Sequence, residues 1–122
     1  MTLNEYQQAA MTTCTPAAEN FAYMMLNLVG EVGELSSKVA KSIRKGNAAF
    51  NADNNLYDAR SIDDIDPELD AAMRAEAGDV LWQLAGLCHV MGWDFERVAQ
   101  DNLDKLRDRQ QRNVIVGDGD NR

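Results

Sequence analysis

Glu31 and Glu34 stand beside a helical stripe of apolar residues, and this arrangement restricts the fold of the 122-residue chain more than any other stretch. Val32, Leu35, Val39 and Ile43 recur at spacings of three and four, the period of an α-helix with one buried face. Acids three residues apart on such a helix lie about 60° apart around its axis, so both carboxylates border the face that buries. Glu76 and Asp79 repeat the arrangement, with Glu76 inside a second stripe of Leu69, Met73, Val80, Leu84, Leu87 and Met91. A buried acid without a partner is costly, or loses its charge through a shifted pKa, so these positions call for a compensating cation. Carboxylates from two antiparallel helices make an all-oxygen site, suited to Mg²⁺ or Mn²⁺ rather than to zinc.

Taken in order, the chain reads as helical. Thr2 and Glu5 form a capping-box pattern that starts a short helix at Leu3, with Leu3, Tyr6, Ala10 and Met11 inward. Thr15-Pro16 restarts a helix expected to run from Pro16 to about Lys45, where Gly46 ends it. Its stripe extends through Phe21, Met25, Leu28, Val32, Leu35, Val39 and Ile43. Gly30 and Gly33 flank the acids at a helix-forming cost of up to about 1 kcal/mol each, which suggests close approach of another backbone or a ligand, or tight helix packing. Residues 47–66 hold four asparagines and scattered apolar residues, and read as a long loop or lid. Asp66-Pro67-Glu68 opens a third helix that Gly92 ends, and Asp94 caps a fourth from Phe95 to about Arg112. The expected organisation is one helical domain over 1–112 and a polar tail over 113–122.

The net charge of −8 argues against binding of nucleic-acid polymers or anionic membranes, which need a basic surface. It leaves room for a nucleotide substrate, whose charge bound metal ions would offset. Cys14 and Cys88 are isolated thiols with no signal-peptide pattern ahead of them, as expected of reduced, packed cysteines in a cytoplasmic protein. His89, the single histidine, is three residues from Gly86 rather than from a glutamate, and reads as a surface or helix-end residue.

On the fourth helix Val98, Asn102, Lys105 and Arg109 share a face. On spacing alone, Lys105 and Arg109 read equally as a solvated face paired with local acids and as a grip on a polyphosphate. The ordered set Glu31-Val32-Gly33-Glu34, Glu76-Ala77-Gly78-Asp79-Val80-Leu81-Trp82 and Asn102-Leu103-Asp104-Lys105-Leu106-Arg107-Asp108-Arg109 resembles the MazG-like all-α nucleoside triphosphate pyrophosphohydrolases. The resemblance covers roughly Glu5 to Arg109. It implies an all-α fold with a four-helix-bundle core and Mg²⁺-dependent cleavage of a nucleoside triphosphate between the α and β phosphates. It also implies homodimers or homotetramers with sites near the subunit interface. By the same resemblance Glu31, Glu34, Glu76 and Asp79 are metal ligands, and Lys105 and Arg109 contact phosphate. Asn102 joins them on the substrate side, Glu34 is the candidate to orient the attacking water, and Trp82, Tyr6, Phe50 and Tyr57 are candidates to stack on a base. The long 47–66 segment and the absence of an Arg-Tyr-Pro ending after Arg109 depart from the family's pattern.

Two other classes place acids inside helices. A di-iron bundle needs Glu-x-x-His from two helices, a pair this sequence lacks. A non-enzymatic oligomeric module would use the acids only to line a surface for partner cations.

Overall fold

The computed structural model describes residues 1–62 and 64–122; Asp63, inside the expected 47–66 loop, lies outside them. Four helices follow in order, α1 (Leu3–Met11), α2 (Phe21–Arg44), α3 (Pro67–Met91) and α4 (Phe95–Gln111), with strands β1 (Ala48–Phe50) and β2 (Leu56–Asp58) between α2 and α3. The fold is all-α apart from this short hairpin.

Local sequence explains most of the boundaries. Thr2 Oγ1 accepts from Glu5 N at 3.1 Å while Thr2 N donates to Glu5 Oε2 at 2.7 Å, closing the capping box on α1. Asp66, Pro67 and Glu68 open α3, and Gly92 closes it in the left-handed conformation at φ 67°. Helix α2 differs from expectation. It starts at Phe21 rather than Pro16, because Asn20 caps it by accepting from Tyr23 N at 2.9 Å. Thr15 and Pro16 instead begin a turn, closed by Ala18 N donating to the Thr15 carbonyl at 3.0 Å. Proline fits that turn as well as a first helical turn, so Thr15-Pro16 could not decide between them.

The expected structureless segment contains an antiparallel hairpin with Ala48, Ala49 and Phe50 opposite Asp58, Tyr57 and Leu56. Its asparagines build the connection. Asn51 Oδ1 accepts from Asp53 N at 2.9 Å and Asn55 N at 3.0 Å, and Asn54 takes φ 63°, a conformation asparagine tolerates.

Helices α2 and α3 form the spine. Met24 meets Gly86, Asn27 bonds Gln83, and Lys38 meets Glu76, so one number falls as the other rises and the helices run antiparallel. Of the readings of Gly30 and Gly33, tight packing between helices occurs instead at Gly86. A methyl added there would lie 2.5 Å from Met24 Sδ, whereas at Gly33 it would meet nothing within 4 Å. At Gly30 it would meet only the Asn27 side chain of its own helix, at 3.2 Å. Helix α1 covers α3 beside a small core of Ala85, Cys88 and Phe95.

The apolar stripe expected on α2 is corrected in the same way. Met24 is its buried residue, while Phe21, Met25, Val32 and Ile43 are exposed. The reason is that α2 has one helical neighbour: among the described residues α2 and α4 share no contact. Val98, on the α4 face shared with Asn102, Lys105 and Arg109, is likewise exposed. No helix of the described residues is long and apolar enough to cross a membrane.

Candidate metal centre

The antiparallel spine brings three acids together near its middle. Glu31 of α2 and Glu76 and Asp79 of α3 each offer a carboxylate oxygen, all within 4.8 Å of one another. Glu31 and Glu76 are half-buried and Asp79 is exposed, so the group opens to solvent on one side. Glu34 is exposed and stands outside this group. Three oxygens at that separation fit a hard divalent ion, which takes oxygen ligands at about 2.0–2.6 Å. Nitrogen and sulfur donors that would favour zinc are missing from the group.

Three neighbours set the electrostatics. Lys38 Nζ lies 3.4 Å from Glu76 Oε1, reaching from α2 to the acid on α3. Asn27 Nδ2 donates to Glu31 Oε1 at 3.1 Å and to Gln83 Oε1 at 2.9 Å, fixing the glutamate against a buried amide. Tyr6 of α1 feels the group: burial and then the negative charge of Asp79 push its phenol above the ordinary value. Sequence reasoning overlooked Lys38, Asn27 and Gln83 as a group. Their signal was present, since Asn27, Glu31 and Lys38 follow one another at spacings of four and seven.

The other expected site residues are placed as follows. Trp82 is half-buried, and its indole N–H donates to Thr13 Oγ1 at 2.9 Å and the Ala10 carbonyl at 3.2 Å, so it ties α1 to α3. Phe50 is exposed on β1 and lines a groove of about 480 Å³ with Leu35, Val39, Leu56 and Met73. Asn102 and Lys105 line an open groove of about 530 Å³ with Trp93, an exposed aromatic that the sequence reading did not single out. Arg109 is 4% exposed despite its charge. Its Nη2 donates to Asp120 Oδ1 at 2.9 Å, and Lys105 Nζ meets the same oxygen at 3.3 Å. These two cations hold the carboxyl of Asp120 below its ordinary value. His89 lies at the end of α3, 2.7 Å from Glu19, away from the acid group. Cys14 and Cys88 are free thiols, both pushed up by burial.

A carboxylate trio held across two antiparallel helices marks an all-α protein with an oxygen donor set suited to a hard divalent ion. The family model for the MazG nucleotide pyrophosphohydrolase domain matches residues 19–114, and the chain belongs to that family. Gene 37 protein of Mycobacterium phage L5 is 36% identical over 129 residues, covering 100% of both chains. No solved structure matches the chain significantly.

Proposed function

We propose that the protein hydrolyses nucleoside triphosphates between the α and β phosphates, with Mg²⁺ or Mn²⁺, to give a nucleoside monophosphate and pyrophosphate. The observation that carries this reading is the convergence of Glu31, Glu76 and Asp79 from two helices in a chain of this family. Those residues would hold the ion. A divalent cation bound there supplies charge neutralisation at the phosphate oxygens and stabilises the leaving pyrophosphate.

The remaining work falls to the protein's own groups. Glu34, the fourth expected ligand, is free at the exposed edge to orient water and accept its proton. Asn27 keeps Glu31 in one orientation. Lys105 and Arg109 grip phosphate in place of the Asp120 carboxylate they hold in the free chain, and Asn102 lines a groove with Lys105. Trp82 serves by holding α1. The helical domain over 1–112 carries the reaction, and the 113–122 tail is an appendage to it.

A homodimer or homotetramer completes this arrangement. Leu26 and Val29 of α2 are 76% and 71% exposed, and α4 leaves α2 uncovered.

The experiment is incubation of the purified chain with a nucleotide panel and Mg²⁺, with product analysis. Monophosphate and pyrophosphate are expected, with loss of activity in Asp79→Asn. Orthophosphate as the sole product, or full activity in that variant, would overturn the reading.

A further inference from the structure

Tyr23 stands in the first turn of α2, where its backbone N–H donates to the Asn20 cap at 2.9 Å. Tyr23, Asn27 and Glu31 follow at spacings of four, so they share one face of the helix. The Asn27 amide joins the three. Its Nδ2 donates to Glu31 Oε1 at 3.1 Å and to the phenol oxygen of Tyr23 at 3.4 Å, besides Gln83 Oε1 at 2.9 Å. An amide nitrogen carries two hydrogens, and here three acceptors surround it. The Tyr23 contact is the longest of the three, so it is the one most readily given up. Tyr23 is also 40% exposed, whereas Gln83 is buried and Glu31 half-buried. The aromatic residues that the sequence offered for stacking are engaged elsewhere. Trp82 spends its indole N–H on α1, and Tyr6 packs against the core of Ala85, Cys88 and Phe95. Tyr57 and Phe50 belong to the hairpin. Phe50 shares its groove with Leu35, Ser36 and Val39, a flank of α2 about 120° around the axis from Asn27.

We infer that Tyr23 is the platform on which the base of the nucleotide stacks. The inference rests on the proposed reaction for the identity of that ligand. Two hydrogen bonds in series, through one nitrogen, separate the Tyr23 phenol oxygen from Glu31 Oε1. A pentose makes a span of similar length between the α-phosphate of a nucleotide and its base. With the α-phosphate at the acid group, the base arrives at Tyr23, whose exposed aromatic ring offers it a face to stack on. Every base has such a face, so stacking favours a nucleotide over a bare phosphate chain rather than one base over another. Asn27 is a positioning residue in this arrangement. It ties the platform to the glutamate of the acid group, so that one amide sets the base and the phosphate in register.

The test is calorimetric titration of the full chain, in Mg²⁺, with α,β-imido analogues of one purine and one pyrimidine nucleoside triphosphate, which resist cleavage at that bond. Inorganic tripolyphosphate is the matched ligand without a nucleoside. The unaltered chain should bind both analogues more tightly than tripolyphosphate. Tyr23→Ala should weaken the analogues about tenfold, the scale of one stacked base, and leave tripolyphosphate unchanged. Tyr23→Phe keeps the ring and should bind all three ligands as the unaltered chain does. A thermal melt checks that both variants fold. In the unaltered chain, nuclear Overhauser contacts are expected between the Tyr23 ring protons and the base protons of the analogue, a readout that needs no variant. Absence of those contacts, or full analogue affinity in Tyr23→Ala, would overturn the platform and leave the proposed reaction standing. So would an equal loss for tripolyphosphate, which marks a disturbance at the acids, or a loss in Tyr23→Phe, which marks the hydroxyl as the contact. No preference for the analogues in the unaltered chain would instead overturn the nucleotide reading, and the platform with it.

Discussion

Lys38 and Glu76 face each other across the two longest helices, with Nζ 3.4 Å from Oε1. The lysine supplies part of the positive charge that the acid group requires, and it does so from the same helix as Glu31. Without metal, three carboxylates within 4.8 Å repel one another, and Lys38 is the cation placed to offset them. Replacing it with methionine should lower the thermal midpoint in chelator and leave a larger rise on adding Mg²⁺. Saturating the site raises stability by about 2.7 kcal/mol at a hundredfold excess over Kd. Scanning calorimetry of Lys38→Met and Glu76→Gln, each with and without Mg²⁺, checks this. A Mg²⁺ response that survives in Glu76→Gln would place the ion elsewhere.

Asn27 links stability to the site. Its amide satisfies the buried Gln83 and holds Glu31, so Asn27→Ala leaves the Gln83 carbonyl oxygen without its donor. The expected loss is about 1–3 kcal/mol in urea unfolding, with weaker Mg²⁺ affinity in the same protein. Full stability in Asn27→Ala would mean that water replaces the amide without penalty.

The crossing of α2 over α3 rests on Met24 and Gly86. Met24 is fully buried, and truncation to alanine should cost about 2–5 kcal/mol. Gly86→Ala alone must push the Met24 sulfur aside, but in the Met24→Ala background that obstacle is gone. The double variant should therefore be more stable than the sum of the single losses, as a double-mutant cycle by denaturation would read.

The tail responds to acid. Asp120 is held below its ordinary value of 3.8 by Arg109 and Lys105, so the folded state binds its proton less readily than the unfolded state. Its contribution is complete above that ordinary value and disappears as pH falls through the lowered one. Nuclear magnetic resonance of the Asp120 carboxyl should show this titration, with backbone shifts of residues 114–122 following it. Asp120→Asn should weaken the docked tail at neutral pH, and an unchanged spectrum over those residues would refute the role assigned to the pair.

Much of this molecule was legible in one dimension because the relevant forces act over a few residues. Thr2 with Glu5, Asp66 with Pro67, and Gly92 with Asp94 mark helix ends through hydrogen bonds and backbone angles that their neighbours alone dictate. The two acid pairs were visible because a carboxylate beside an apolar stripe conflicts with burial wherever the helix packs. Where that helix packs is a different question. Periodicity gave α2 an apolar face but could not say that α3 alone would cover it, so Phe21, Met25 and Val32 were expected inside and lie outside. Nor could spacing along α4 decide whether Lys105 and Arg109 stood free, since their partner, Asp120, reaches them only once the tail folds back. The sequence by itself determined the four helices and most of their ends, the start of α2 excepted, and set the acids beside the faces that pack. Tertiary structure alone decided that Lys38 meets Glu76 and that Gly86 is the close contact, because each depends on the register between distant segments.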